Sequence, residues 1–93
     1  MEDRIPITIK VLPPFTSSLT SVEKTLYLRG NPTIMDLLTE ASSQGILAVG
    51  KVVNGDEVRD GVVILVNGRT VFDIKSKLSR GDKVVIMPLA PGG

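Results

Sequence analysis

The sequence closes with Lys83-Val84-Val85-Ile86-Met87-Pro88-Leu89-Ala90-Pro91-Gly92-Gly93, an apolar run followed by two prolines and a diglycine. The apolar run predicts a β-strand over residues 83–87. Each proline lacks a backbone N–H and has a fixed φ, so we expect the chain to leave the sheet near Pro88. The sequence therefore predicts a domain over residues 1–87 and an extended C-terminal tail over residues 88–93.

The predicted tail has the properties of a substrate for another enzyme. Six extended residues at about 3.3 Å each would carry Gly93 roughly 20 Å beyond the fold. Because glycine has no Cβ, a diglycine can enter a channel that is too narrow for other residues and present its carboxylate there. The alternative is a frayed terminus whose two glycines occur by chance, so the upstream elements must decide.

A hairpin is predicted upstream of the last strand. Val62–Val66 is a continuous apolar run typical of a buried strand, and Asn67-Gly68 directly after it is a strong signal for a tight turn. Residues 69–72 should therefore return antiparallel. After them we expect a short helical turn anchored by Ile74 and Leu78, and a second turn that leads into the final strand.

The first half of the chain predicts two strands and one helix. Apolar residues alternate with polar ones from Ile5 to Val11, and residues 24–28 form a second run, which together indicate a hairpin with a long connection. Thr33 is placed to cap a helix, with a carboxylate three residues later. The helix should bury the side chains that recur at helical spacing and stop at Gly45; these side chains are Ile34, Leu37, Leu38 and Ala41.

Residues 46–60 are less regular, and their pattern allows either an irregular crossover or a short extra hairpin around Asn54-Gly55. Within the same region, residues 45–52 nearly match a phosphate-binding loop. Val52 stands where that loop needs a hydroxyl for magnesium, and the stretch follows a helix instead of a strand. Nucleotide binding is therefore not favoured here.

Composition excludes several classes of function. The 93 residues suffice for one domain, and the sequence contains no histidine and no cysteine. Common bases, thiol nucleophiles and zinc ligands are therefore missing, and the ten acidic residues mostly adjoin turns or polar faces. We expect no catalytic residues, no metal and no bound cofactor.

Charge and hydropathy point to a protein of the cytoplasm. A net charge of +1 with 3% aromatic residues argues against direct nucleic-acid binding. No apolar stretch is long enough to span a membrane, the acidic start does not resemble a signal peptide, and no disulfides are possible.

The predicted order is β, β, α, β, β, β, which indicates an α+β fold with one main helix on one face of a mixed sheet of four to five strands. Because the helix separates the early strands from the late ones, the first and last strands can pair in parallel at the centre. This arrangement is a β-grasp.

The second half resembles a known family. The resemblance is carried by Leu65-Val66-Asn67-Gly68-Arg69, by Leu78, by Gly81-Asp82-Lys83-Val84-Val85-Ile86-Met87-Pro88 and by the closing Pro91-Gly92-Gly93. This pattern is similar to the ubiquitin-like sulfur carriers of the molybdopterin synthase small-subunit (MoaD) group. The thiamine sulfur carriers (ThiS) and the archaeal small modifier proteins share the ending, while the first half matches only in the order of its elements.

The resemblance implies that an E1-like enzyme adenylates the carboxylate of Gly93 with ATP, and that a persulfide then converts it to a thiocarboxylate. The sulfur would pass to a pterin precursor in the large subunit of molybdopterin synthase, or to tRNA through another enzyme. A lysine of a target protein could instead capture the activated carboxylate.

The same resemblance implies that the carrier contributes by positioning, and that the tail enters the active site of its partner. The residues that would do so are Pro88, Leu89, Ala90, Pro91, Gly92 and Gly93. The alternative is a function of another class, that of a β-grasp interaction domain in which the diglycine has no role.

Overall fold

The computed structural model of the protein describes residues 3–89. Its elements, in chain order, are β1 (Arg4–Val11), β2 (Val22–Arg29), α1 (Ile34–Ser43), α2 (Val49–Val52), β3 (Val53–Asn54), β4 (Glu57–Val58), β5 (Val62–Val66), β6 (Arg69–Thr70) and β7 (Lys83–Pro88). Five strands form one mixed sheet in the order β2-β1-β7-β5-β6. The predicted α+β fold of the β-grasp type is confirmed.

The first and last strands pair in parallel at the centre of the sheet. Ile9 lies opposite Val84, and Val11 lies opposite Ile86. All four side chains are buried, because alternate residues of each strand point to the face that α1 covers. The core between this face and α1 consists of apolar side chains, among them Ile7, Ile9, Val11, Leu26, Leu28, Ile34, Leu37, Leu38, Ala41, Ile64, Val84 and Ile86.

The predicted ends of helix α1 are confirmed. The Thr33 hydroxyl accepts a hydrogen bond from the Asp36 N–H at 3.1 Å, and the Asp36 carboxylate accepts one from the Thr33 N–H at 2.8 Å. Two backbone donors at the helix start are thereby satisfied by side chains. Gly45 takes a φ of 76° just past the helix end, a conformation that glycine adopts without a steric penalty.

The turn predicted around residues 74–78 is present as a single hydrogen-bonded turn, in which the Ser76 N–H donates to the Asp73 carbonyl at 3.0 Å, and Ile74 and Leu78 are buried as expected. The segment also pairs with the start of α1. The carbonyls of Ser76 and Ile74 accept hydrogen bonds from the N–H groups of Ile34 and Met35 at 3.0 and 2.9 Å. These donors lie in the first turn of a helix and have no partner inside it, so the two carbonyls of this segment satisfy them.

Of the two alternatives for residues 46–60, the structure adopts the short extra hairpin. Strands β3 and β4 pair antiparallel after the single turn of α2, with Val53 opposite Val58. The two residues between the strands are Gly55 and Asp56, one position later than the Asn54-Gly55 turn in the prediction. Gly55 has a φ of 64°, which explains why glycine stands at the turn.

The strand bounds differ from the predicted ones at two places. Strand β2 is longer, because every residue from Val22 to Arg29 pairs with β1. Strand β6 is shorter than predicted and contains two residues, although the N–H of Val71 still donates to the carbonyl of Ile64 at 2.9 Å. The turn at Asn67-Gly68 is confirmed. No helix within residues 3–89 is long and apolar enough to cross a membrane.

Candidate functional site

The C-terminal strand β7 extends one residue further than predicted and includes Pro88. Pro88 lies opposite Val62 of β5, and the next N–H, that of Leu89, donates to the carbonyl of Gly61 at 2.8 Å. In an antiparallel ladder, two opposite residues exchange either two hydrogen bonds or none. A hydrogen bond between the neighbours of a pair, as here between Leu89 and Gly61, shows that the pair itself exchanges none. The nitrogen of Pro88 therefore points away from β5.

On its other side, β7 has lost its neighbour by this point. The pairing with β1 ends at Val11 opposite Ile86, where the N–H of Leu12 donates to the Ile86 carbonyl at 2.9 Å, and Pro13-Pro14 then leads β1 into a loop. The nitrogen of Pro88 faces this side, where the next bond of the parallel ladder would run from residue 88 to the Leu12 carbonyl, and that carbonyl instead accepts a hydrogen bond from the Phe15 N–H at 3.0 Å. The proline marks the place where the strand becomes one-sided, and the strand ends after it.

Two of the six predicted site residues lie within the described structure. Pro88 is partly buried in β7, and the Leu89 side chain is 64% exposed just beyond it. The other four, Ala90, Pro91, Gly92 and Gly93, lie outside the described residues. The structure therefore gives the base of the tail, and the position of the reacting carboxylate remains a prediction.

An apolar surface adjoins the base of the tail at one end of strand β5. Leu89 and Phe72, which is 80% exposed, line one shallow recess together with the partly buried Val62 and Val63 and with Val58 from the β4 strand. We refer to these five residues as the apolar surface. Large exposed apolar groups that cluster in this way mark interaction sites in other proteins.

Sequence reasoning did not find the apolar surface. Phe72 was expected to return along β5 as a strand residue, whereas β6 ends at Thr70 and leaves Phe72 exposed at the rim of the sheet. The signal that could have found it is the presence of large apolar residues at the ends of predicted elements, Phe72 at the end of the returning strand and Leu89 in the tail. Their proximity depends on the strand order, which the sequence pattern alone does not give.

Acidic side chains lie along one side of the apolar surface. A second recess beside Phe72 is lined by Val58 and by four carboxylates, those of Asp56, Glu57, Asp60 and Asp73. Three of them come from the short hairpin and the residues that follow it, and the fourth comes from the turn after β6. A partner that covers Phe72 therefore meets a negatively charged rim on this side, which favours basic groups on the partner.

Two carboxylates in the described region, one of them that of Asp73 from the acidic rim, accept hydrogen bonds that hold turns in place. Asp82 accepts hydrogen bonds from the Ser79 N–H at 2.8 Å and from the Asn67 amide at 2.9 Å, and Asp73 accepts one from the Lys75 N–H at 2.9 Å. Within residues 3–89, no three histidine, cysteine, aspartate or glutamate side chains form a group that could hold a metal ion.

The stretch that nearly matches a phosphate-binding loop has its backbone donors engaged elsewhere. The N–H groups of Ile46 and Ala48 donate to the carbonyls of Ala41 and Phe15 at 2.9 and 2.8 Å. Ile46 and Leu47 are buried in the core. Because a phosphate cradle needs several free N–H groups that converge on one point, this segment serves the fold instead.

The site is thus a chain end delivered by a central strand of a small β-grasp protein. Among solved structures, SAMP1 from Haloferax volcanii superposes with a TM-score of 0.68 at 20% sequence identity, covering 95% of this chain and 99% of that one. The HVO 2177 protein of the same organism superposes with a TM-score of 0.62 at 21% identity, covering 100% of this chain and 92% of that one. At this identity the likeness establishes the fold.

No protein-family model matches the sequence, and no curated protein matches it significantly. The function is therefore inferred from the fold and from the chemistry of the chain end.

Proposed function

We propose that this chain is a ubiquitin-like sulfur carrier whose terminal glycine, Gly93, is adenylated by an E1-like enzyme and converted to a thiocarboxylate that supplies sulfur for molybdopterin, and hence for the molybdenum cofactor. The chain itself is a carrier without catalytic residues and binds no cofactor. ATP is consumed by the activating partner.

The observation that carries the proposal is the course of β7. This strand is hydrogen-bonded on both sides at the centre of the sheet, becomes one-sided at Pro88, and is followed by Leu89, four positions before Gly93 in the sequence. A rigid central strand fixes where the tail leaves the domain, so a partner that docks on the domain finds the tail in a defined place. The apolar surface at the base of the tail offers the docking site.

The chemistry requires only the terminal carboxylate. Attack of this carboxylate on the α-phosphorus of ATP releases pyrophosphate and forms an acyl adenylate, which converts a poor acyl electrophile into a reactive one. The terminal sulfur of a persulfide then displaces AMP and gives an acyl disulfide. A second thiol reduces the acyl disulfide, releasing the thiocarboxylate and leaving the donor as a disulfide. The carrier supplies no acid or base, in keeping with its lack of histidine and cysteine.

A second candidate uses the same activated chain end as a protein modifier. It is supported by the structural likeness to SAMP1, a ubiquitin-like small archaeal modifier protein, over nearly the whole length of both chains. In this case the amine of a lysine on a target protein displaces AMP and forms an isopeptide bond. Delivery of the sulfur to tRNA is a further use of the thiocarboxylate.

Intact-mass spectrometry tests the proposal. The purified chain is incubated with its E1-like enzyme, ATP and a persulfide donor, and we expect the mass gain that corresponds to replacement of one oxygen atom by sulfur. An unchanged mass with an enzyme shown to be active would remove the carrier proposal and favour an interaction domain. Addition of the large subunit of molybdopterin synthase with a pterin precursor, or of target proteins, then distinguishes sulfur transfer from conjugation.

A further inference from the structure

Strand β2 forms one edge of the five-stranded sheet and is eight residues long. It pairs with β1 along its whole length, from Val22 opposite Val11 to Arg29 opposite Arg4. Within residues 3–89, no strand pairs with its outer side. A long edge strand with unbroken geometry is a ready template for another strand, and proteins commonly interrupt such edges with proline, a bulge or a covering element. None of these three devices occurs in β2, and its charged side chains, those of Glu23, Lys24 and Arg29, restrict which strand can pair with it.

The hydrogen bond from the Gly30 N–H to the Asp3 carbonyl, at 3.0 Å, shows which residues of β2 face outward. It flanks the pair Arg4 and Arg29, which therefore exchange no ladder bonds. By alternation, the backbone groups that point away from β1 belong to Glu23, Thr25, Tyr27 and Arg29. Their side chains lie on the face of the sheet opposite α1, and Tyr27 is 60% exposed there.

Helix α1 does not close this edge. A recess is lined by Tyr27, Leu28 and Arg29 of β2 and by Asp36 and Glu40 of the helix, so solvent reaches the outer side of the strand between the two elements. Arg4 donates to the Tyr27 carbonyl from the open face at 3.4 Å. A carbonyl has two lone pairs and accepts a second donor beside this long bond.

We propose that β2 is a self-association surface on which β2 of a second copy pairs antiparallel, with the two strands centred on Leu26. This register places Glu23 opposite Arg29 of the second copy and Thr25 opposite Tyr27 of the second copy, and the two-fold axis repeats both pairs. All four pairs join outward-facing residues, as ladder hydrogen bonds require. The partner is identified by its complementarity to this edge.

Charge supports this register on the open face of the sheet. The proposed pairing sets a carboxylate directly across from a guanidinium at both ends of the interface, where cross-strand pairs of opposite charge are stabilising and like charges are not. Glu23 also contacts Lys83 of its own chain at 3.5 Å, with about half of both side chains exposed. This ion pair is open to solvent and therefore weak, so the carboxylate can turn toward the second copy.

Charge also matches on the helix face. In the same register, Lys24 of one copy lies opposite Leu28 of the other. Leu28 lines the recess that contains the carboxylates of Asp36 and Glu40, so the lysine of the second copy meets negative groups there. Within its own chain, Lys24 donates to the side chain of Gln44 at 3.0 Å, which shows that its ammonium group reaches the side of the helix.

The proposed dimer leaves the carrier site accessible. Strands β1 and β7 separate β2 from β5 in the sheet order, and the apolar surface lies on the far side of β7. One particle would therefore present two tails, and a dimeric activating enzyme could bind both with an increased effective concentration.

Exchange of the two charges tests the pairing. Sedimentation equilibrium of the full chain over a range of concentrations gives the dissociation constant of the dimer. We expect Glu23→Arg alone and Arg29→Glu alone each to weaken the dimer by about tenfold or more, because each places like charges opposite one another twice. The double variant E23R/R29E restores the complementarity and should return the dissociation constant to within about threefold of the original.

The restored dimerisation of the double variant cannot come from a contact between residues 23 and 29 of the same chain. Residues 23 and 29 are six positions apart on one strand, which separates them by about 20 Å. Arg69→Glu on β6, at the opposite edge of the sheet, is the matched control and should leave association unchanged. Thermal melts of all variants show whether each one is folded.

Two results would overturn the proposal. The first is a chain that stays monomeric at concentrations up to about 1 mM, the range of very weak association. The second is a dimer in which the double variant is no tighter than the single variants, because association would then use another surface. Neither result bears on whether Gly93 is activated, so this inference and the proposed function fail independently.

Discussion

The N–H of Leu89 donates to the carbonyl of Gly61 at 2.8 Å, and within residues 3–89 this is the last hydrogen bond between the C-terminal strand and the sheet. It holds the chain one residue beyond Pro88. The tail therefore starts from a fixed point beside the apolar surface, and the distance between the docking site and the start of the tail is set by the fold.

Truncation of Phe72 should separate docking from folding. Because the side chain is 80% exposed, Phe72→Ala should change the free energy of unfolding by less than about 0.5 kcal/mol. Binding to the activating enzyme should weaken by about tenfold or more, since aromatic residues often dominate interfaces. Pyrophosphate exchange as a function of carrier concentration measures the effect as a raised KM.

Tyr27→Ala is the matched control for this variant, because Tyr27 is also an exposed aromatic residue but lies on the edge strand β2, away from the apolar surface. Its KM should stay near the original value at concentrations where the chain is monomeric. Equal effects of both truncations would mean that the apolar surface is not the docking site.

Truncation of a core leucine tests the packing of helix α1. Leu38 is fully buried between the helix and the sheet, so Leu38→Ala should cost about 2 to 5 kcal/mol in urea unfolding. Leu19→Ala removes the same atoms from a side chain that is 98% exposed and should cost less than about 0.5 kcal/mol. Similar losses at both positions would contradict the placement of the helix.

Replacement of Thr33 tests the capping box. Thr33→Ala removes the hydroxyl that accepts from the Asp36 N–H and should lower the stability of the protein by about 1 kcal/mol. Thr33→Ser keeps this acceptor and should retain most of the stability. If the serine variant lost as much as the alanine variant, the hydroxyl would not be the stabilising group.

Deletion of Gly92 and Gly93 tests whether the terminal carboxylate reacts. The predicted tail makes no core contacts, so the unfolding midpoint should stay nearly unchanged. Pyrophosphate exchange should disappear, because the deletion moves the carboxylate back by about 7 Å and places it on Pro91, whose ring adds bulk.

Gly92→Ala is a milder version of the same test. The added methyl group should reduce adenylation more than it reduces binding to the activating enzyme, because the narrow channel surrounds the reacting end. Exchange at the original rate by the deletion variant would show that the terminal carboxylate is not the reacting group.

The sequence was sufficient to predict elements whose signals are local. The capping box at Thr33 and the turn at Asn67-Gly68 depend on residues within a few positions of one another, and both are present. The buried faces of β1 and α1 followed from their periodicity. The parallel pairing of the first and last strands followed from the element order, since few topologies accommodate one helix between two hairpins.

The features that were missed depend on contacts between distant segments. The carbonyls of Ile74 and Ser76 accept hydrogen bonds from the first N–H groups of α1, a pairing that the local sequence does not show. Likewise, Pro88 stays in the sheet because its nitrogen faces away from β5, on the side where the pairing with β1 ends. The partners that determine these conformations are about 40 and 75 residues away along the chain.

The parallel pairing of β1 with β7, and the antiparallel pairing of β7 with β5, also determine how the fold responds to a mechanical load. A pull on the C-terminus acts along the axis of β7. The hydrogen bonds that join β7 to β5 and to β1 both run across this axis. These bonds are then sheared together instead of opening one after another. A pull through a protein covalently attached at this end would have to break both ladders at once to extract the strand, so the domain resists unfolding in the direction in which its own tail would be held.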